Sequence, residues 1–456
     1  MSTLTFITAI LIVVGVLSPG GYGRALALGG ATAAGSAIAV GGTAVPTFYA
    51  IALGVPVALF LRLLRNGRDH VAVRQTFPPG ALLLVLFLAW STFVTLVAPL
   101  ILNGLPIVTP STPNLVAGVV TTSNVAQIIY LLLGVCVVVY LARSKSVGPQ
   151  LIGLTVGTCT LLSIWRYVAE NTGIPFPEGV FDNSPSFAYI QTAPGGAERF
   201  RGVLSEPAAL AGISLVTIAY MLPRAAQLHG WRRVGALAVA AMALYLGIIS
   251  TSATFVVAGV ASTVVMAASW LVAFLSHRST LSRMLSLVGC AVIIAGLWLL
   301  PTITAFIEST VNGKLASSSY TDRTSANTDS YRVFVDSYGF GVGLGSARAS
   351  SFLPTVLSAT GVIGALLLVS AVVTLIRQGA SSPACRPVVS VLVTLLVVKI
   401  AAGPDISDSS GVLWLALGLL SHAALRDKQD TSVASTESAH AAADPSMSVH
   451  RSKTQP

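Results

Sequence analysis

The sequence predicts an all-α polytopic integral membrane protein with about 12–13 transmembrane helices and two long external loops. Three observations carry that prediction. Hydrophobic residues fill 54% of the 456 positions and charged residues only 9%, with a mean hydropathy of +0.82, the composition of a chain solvated by lipid. Apolar windows of about 20 residues, long enough to cross a hydrocarbon core about 30 Å thick, recur from end to end. Basic residues gather in alternate connections between those windows, as the positive-inside rule requires of cytoplasmic loops.

In chain order the windows open near Leu4, Val45, Ala81, Val125, Leu151, Ala208, Val234, Phe255, Met284, Phe352, Val388 and Val412. The first has neither the basic leader nor the small-residue cleavage site of a removable signal, and it reads as a retained anchor. A thirteenth stretch, Ala25 to Val40, is rich in Gly and Ala and carries the weakest signal. Without it the N terminus moves from outside to inside, while the assignments from Ala81 onward stand. Arg62, Arg65, Arg68 and Arg74 mark one inner connection, and Arg143 with Lys145 another. Arg224, Arg232 and Arg233 follow, then Arg278 and Arg283, then Arg377 and Arg386. The formal net charge of +10 is thus topology plus attraction to anionic lipid, and it needs no nucleic-acid partner. Cys136, Cys159, Cys290 and Cys385 show no CxxC or Cys/His spacing, which predicts packing rather than a metal site or a disulfide framework.

Two connections are long, about 170–206 and about 306–351, and both fall outside in this topology. Pro175, Pro177, Pro185, Pro194, Gly195 and Gly196 break up the first, which reads as an irregular loop with room for a short helix. The second begins polar, "NGKLASSSYTDRTSANTDSYRVF", then turns glycine-rich, and reads as a long loop without regular structure. Residues 1–425 form one transmembrane domain. From Arg426 to the end, the tail is rich in Ser, Ala, Asp and Lys and reads as disordered and cytoplasmic. Eleven of the sixteen acidic residues lie outside, whereas all six histidines map to the inner face or the tail. Chemistry at the outer face must therefore use Arg, Asp, Glu, Ser and Tyr.

The scarce charges mark the candidate sites. In "RFRGVLSEPAAL", Arg199 to Leu210, Pro207 suits the first turn of a helix, with Ser205 or Glu206 as its cap. A helix N terminus favours an anion, and Arg201 adds a planar fork of donors. Alternatively Glu206 complements the helix dipole while the arginines lie among lipid headgroups. Gly339, Gly341, Gly343 and Gly345 alternate. They suit either a re-entrant turn with bare backbone near a ligand or close helix packing; their spacing is not a dinucleotide fingerprint. Arg332, ahead of so apolar a segment, needs a partner. Lys399, near the outer end of an apolar run, either pairs with Asp405 or Asp408 or snorkels to the interface. Arg166 poses the same choice, with Trp165 and Tyr167 as interface anchors. "IISTSATFVV" reads as a tight turn or a broken helix.

Taken in order, "RFRGVLSEP", "STSATF" and "YRVFVDSYGFGVGLGSARASSFLPTVLSATGVIG" resemble the O-antigen ligase and polymerase superfamily of bacterial glycan-assembling membrane proteins. The resemblance covers roughly residues 199–367 and, by helix number, loosely the whole chain. It implies a glycosyltransferase at the outer face of the plasma membrane, acting on polyprenyl-diphosphate-linked glycan with no cofactor. Ligases of this family typically carry a histidine soon after the glycine motif. Here that segment reads "SARASSFLPTVL", with Ser350 and Ser351 and no histidine, which favours the polymerase branch. Arg201 and Arg332 match the family's external arginines, expected to hold the diphosphate; Arg199, Arg348 and Lys399 extend that cationic set. Fixed guanidinium groups stabilise a departing diphosphate without metal, and no Asp-x-Asp occurs in the chain. Glu206 is the first candidate for the base that activates the acceptor hydroxyl, followed by Asp336 and Asp329. The implied partners are the carrier-linked glycan, membrane lipids and other glycan-assembly proteins, with no nucleic acid. The rival reading is a transporter or flippase for a lipid-linked or anionic substrate. A third is a scaffold that docks a glycan-synthesis complex through its tail. Apolar runs nearly free of charge, with charges gathered in two loops, favour surface chemistry over transport.

Overall fold

The computed structural model describes residues 2–18, 21–40, 43–66, 77–107, 113–144, 147–185, 189, 191–192, 198–276, 318–380 and 382–443. In chain order its helices begin with α1 (Thr3–Leu17), α2 (Tyr22–Gly30), α3 (Thr47–Ala52), α4 (Val55–Asn66), α5 (Ala81–Ile101), α6 (Thr122–Ala142) and α7 (Gln150–Thr172). There follow α8 (Pro207–Gln227), α9 (Gly230–Ile249), α10 (Ala253–Ser276), α11 (Ser318–Asp336), α12 (Phe352–Ala380), α13 (Arg386–Ala402) and α14 (Val412–Ala443). A short antiparallel hairpin, β1 (Ser36–Val40) and β2 (Thr43–Pro46), joins α2 to α3. Among the described residues, seven helices are long and apolar enough to cross a membrane: α5 to α9, α12, and α13 with the 3-10 turn that leads into it. The chain is an all-α multi-pass membrane protein.

Several windows depart from simple spans. The window near Leu4 yields the 15-residue α1, which at about 1.5 Å per residue is some 22 Å long, short of a full crossing. Ala25–Val40 is not a transmembrane helix. α2 closes at Gly30, where a Cβ would run into Ser410 O and lie 3.0 Å from Thr155 of α7, and β-branched Ile38, Val40 and Val45 then pair as strands. The window near Val45 is divided between α3 and α4, with Gly54 against the Tyr22 ring at the joint. The window near Met284 lies outside the described residues, as do Arg68, Arg74, Arg278 and Arg283. The last helix continues past Arg426 to Ala443. Ala434, Ala439, Ala441, Ala442 and Ala443 make that stretch helix-forming, where its polarity alone suggests disorder.

The core runs along the first turns of α14. Every residue from Val412 to Leu420 is buried, as expected of a helix that is apolar on all sides. Trp414 occupies the notch left by Gly134, the thirteenth residue of α6, and Gly418 packs against Leu141. Such small-residue notches let helices approach where lipid offers no hydrophobic drive for association.

α12 is broken at Gly361, with φ 66° and ψ −172°. A break inside an apolar helix frees carbonyls that need partners, and here each finds one. Val342 N–H donates to Ser358 O at 2.8 Å and Gly343 N–H to Ala359 O at 3.0 Å. The Trp90 indole N–H donates to Thr360 O at 2.9 Å. In return Val362 N–H donates to Gly339 O at 2.9 Å. Trp90 is the tenth residue of the 21-residue α5, roughly 14 Å along it, and its ring meets Phe340 edge-on at 5.8 Å. The stretch Tyr338–Ser346 therefore dips to the middle of α5 as a re-entrant segment. Its four glycines have φ between 74° and 96°, but they do not offer bare backbone to a ligand. A Cβ on Gly343 would lie 2.7 Å from Thr95 Cα, one on Gly345 2.8 Å from Ser123 Oγ, and one on Gly341 2.6 Å from Gly361 N. The glycines make room for neighbouring helices.

Candidate functional site

Arg201 lies in a closed ion cluster. Its Nη2 donates to Asp182 Oδ2 at 2.6 Å and its Nη1 to Leu204 O at 2.6 Å. Its guanidinium covers the Tyr189 ring at 4.8 Å. From α7, Arg166 Nη1 shares Asp182 Oδ2 at 2.8 Å and donates to Gly202 O at 3.0 Å, while its Nε reaches Glu170 at 2.9 Å. With the Gln191 amide oxygen turned toward the arginines, it accepts from Arg201 Nε at 3.0 Å and from Arg166 at 3.3 Å. The Arg201 and Asp182 side chains are only 6% and 8% exposed. Burial pushes the Asp182 carboxyl up, but the hydrogen bonds and charges of Arg201 and Arg166 outweigh it and hold the carboxyl below its ordinary value. The cluster staples the loop after α7 to the helix ends. Where the expectation from sequence gives Arg201 a diphosphate, the structure engages it with a buried acid nineteen residues upstream.

Just beyond the staple, the chain enters α8 as the sequence predicts. Glu206 is the N-cap residue and Pro207 opens the first turn. The Glu206 carboxylate makes no capping bond; it reaches Arg323 of α11 at 3.6 Å. Arg199 comes to the same place. Its Nε and Nη2 donate to Thr251 Oγ1 and Thr251 O, each at 3.1 Å. Thr251 sits at φ 48° in a tight turn between α9 and α10, closed by Ser250 Oγ donating to Gly247 O at 2.6 Å. "STSATF" is thus a turn rather than a broken helix. Burial, then the nearby Arg323 charge, push the Arg199 guanidinium below its ordinary value, with Glu206 pulling the other way. Two cations from separate connections thus act on each other beside one acid at a helix N terminus. An anion would relieve that repulsion.

α11 corrects the reading of residues 306–351 as an irregular loop. Ser325 Oγ with Asp329 at 3.3 Å and Arg332 with Asp329 at 3.6 Å line its polar surface at helical spacing. Arg323 and Arg332 are nine residues, two and a half turns, apart and so on opposite faces. Arg323 points to Glu206. Arg332 is 74% exposed and pairs with Asp329 at 3.6 Å; Asp336, four residues on, is exposed beside it. Neither Arg332 nor Asp336 joins the cluster at α8, because the helix turns them away from it.

Lys399 pairs rather than snorkels. Its Nζ lies 3.2 Å from Asp408 Oδ1 and donates to Asp405 O at 2.8 Å, with the Phe352 ring at 5.7 Å. The Asp408 carboxylate also accepts from Leu413 N–H at 2.7 Å, capping α14. Asp405 accepts from Ser407 Oγ and Ser409 N–H, each at 2.7 Å. Against burial, the Lys399 charge, these bonds and the Arg348 charge hold Asp405 below its ordinary value. Lys399 is therefore buried and neutralised. Arg348 is exposed, with its charge near Asp405.

Of the residues singled out from sequence, the fold brings Arg199 and Glu206 together and leaves Arg348 open. It closes Arg201 and Lys399 into ion pairs and turns Arg332 and Asp336 outward. Arg323 and Thr251 beside Glu206 and Arg199, and Asp182 in the staple, are partners that sequence reasoning did not single out. A helical wheel over 318–336 is the one signal that separates Arg323 from Arg332. Among the described residues, no three His, Cys, Asp or Glu side chains gather as a metal site requires. What remains at the start of α8 is Arg199, bonded to Thr251, with the charges of Arg323 and Glu206 acting on it. Comparison with family models gives no match to this chain, and comparison with curated proteins gives none either.

Proposed function

We propose that the protein is a membrane glycosyltransferase that polymerises polyprenyl-diphosphate-linked glycan units at the outer face of the plasma membrane, in the manner of the O-antigen polymerases and ligases its motifs resemble. The observation that carries this reading is the convergence of Arg199 and Arg323 beside Glu206 at the start of α8. In this mechanism the two guanidinium groups hold the carrier diphosphate and stabilise its charge as it departs. The acceptor hydroxyl oxygen bonds the anomeric carbon while the bond to the diphosphate breaks, its electron pair leaving on the diphosphate. Glu206 takes the hydroxyl proton once the substrate has drawn Arg323 away from it. Arg323 here takes the part that sequence alone gives to Arg201 and Arg332.

Transport is the second reading, and two observations favour it: the break in α12 at Gly361 and the Lys399–Asp408 pair among apolar helices, both common in transporters. Against it, the carbonyls around the break are engaged by protein, and Lys399 is enclosed by its own loop. The test is to extract lipid-linked glycans from cells lacking the protein, complemented at equal abundance by wild type, Arg199→Ala, Arg323→Ala or Arg332→Ala. Single repeat units should accumulate on the carrier in the deletion and in the first two variants, but not in Arg332→Ala. Long chains stranded on the carrier would point to a ligase. An unchanged pool in the deletion would overturn the enzyme reading.

A further inference from the structure

One side chain of α11 reaches across to the start of α12. Asn327 Oδ1 accepts from the backbone N–H of Ser350 at 2.9 Å, from that of Ser351 at 3.1 Å, and from Ser351 Oγ at 3.3 Å. Ser351 immediately precedes Phe352, the first residue of α12. The orphan donors at a helix start are usually satisfied by the helix's own cap residue. Here an amide oxygen from a different helix takes the N–H groups of the two residues that lead into the first turn. Val333 also packs, with Leu115, Val342 and Ala347, and Ser330 is buried, while Arg332, Val335 and Asp336 are exposed.

Arg323 lies one turn before Asn327, on the same face of α11. We infer that Asn327 is a positioning residue: by capping α12 from α11, it sets where Arg323 stands over Glu206. The tether follows from the hydrogen bonds alone; its effect on glycan assembly rests on the function proposed above. All three bonds use the carbonyl oxygen of Asn327, and no bond from its amide nitrogen occurs among the described residues. Aspartate supplies the same acceptor and adds a negative charge that a helix start favours. Alanine supplies nothing.

The experiment uses the full-length protein in lipid nanodiscs, exposed to trypsin, with cleavage after Arg323 followed by mass spectrometry. Asn327→Ala should be cut about fivefold faster than wild type, the ratio that loss of a helix cap implies, and Asn327→Asp no faster than wild type. In cells, Asn327→Ala should reproduce the glycan defect of Arg323→Ala, and Asn327→Asp should restore elongation. An Asn327→Ala protein as resistant as wild type, or an Asn327→Asp protein cut as fast as Asn327→Ala, overturns the tether. A freed α11 with full elongation in Asn327→Ala, while Arg323→Ala is defective, overturns the positioning role. If Arg323→Ala itself elongates normally while the trypsin pattern holds, the tether stands and the proposed function fails.

Discussion

Replacing Arg201 by alanine decides whether this arginine staples the fold or meets the substrate. The substitution removes donors to Asp182 at 2.6 Å and Leu204 O at 2.6 Å, and uncovers the Tyr189 ring. Breaking a buried pair by deleting one partner costs about 3–5 kcal/mol. Asp182 keeps Arg166 at 2.8 Å, so the lower end, about 3 kcal/mol, applies here. With an unfolding entropy of about 2.1 cal/mol/K per residue over 456 residues, that loss lowers the melting temperature by roughly 3 °C. A fluorescence melt in a fixed detergent, beside the abundance in membranes, reads it. The double variant Arg201→Ala, Asp182→Ala should lose less than the sum of the single losses, by about 0.5–3 kcal/mol, because neither charge is then stranded. An Arg201→Ala protein that melts like wild type yet fails to elongate glycan would refute this reasoning and return Arg201 to the ligand.

Asp182 also predicts an acid limb. Its folded value lies below the ordinary 3.8, so the folded state binds fewer protons than the unfolded chain as pH falls through that range. The stabilisation is complete above the unfolded value and is lost as pH drops through the folded one. The melting temperature should be insensitive to this group from about pH 8 to 5 and fall below about pH 4, and Asp182→Asn should remove that fall. Lys399→Met strands Asp408 and should cost about 3–5 kcal/mol, seen as low abundance, with partial recovery when Asp408→Asn is added. Gly343→Ala combines φ 96° with a Cβ 2.7 Å from Thr95 Cα and should cost about 2 kcal/mol or more in a melt. Gly104→Ala, at φ 84° with nothing within 4 Å, should cost only the backbone strain of about 1 kcal/mol.

The apolar windows near Ala81, Val125, Leu151, Ala208, Val234, Phe352 and Val388 were legible because twenty residues without charge have one structural solution in lipid. The start of α8 was legible too, since Pro207 after Glu206 is a local signal that needs no tertiary contact. α11 was not. Its buried face is built from Asn327, Ser330 and Val333 rather than an apolar stripe, so no 3.6-residue hydrophobic period announces it. Without the helix, nothing distinguishes the face of Arg323 from that of Arg332. The fate of Arg201 was hidden for a different reason: its partner Asp182 sits across an irregular loop whose path composition does not determine. The alternating glycines signalled close approach, but whether to a ligand or to Thr95, Ser123 and Gly361 is a tertiary fact.

The break at Gly361 also bears on how the chain enters the membrane. Its backbone bonds to the glycine stretch, Val342 to Ser358 and Gly343 to Ala359, join residues sixteen apart, whereas the bond from Trp90 to Thr360 spans 270. Closing the short loops is entropically cheap, and free carbonyls in hydrocarbon cost several kcal/mol each. The segment 338–360 therefore leaves the ribosome carrying most of its own partners and can pair before it meets α5, which was inserted long before. Pulling-force measurements on stalled chains should show two separate events, the pairing of this segment and its later seating on Trp90.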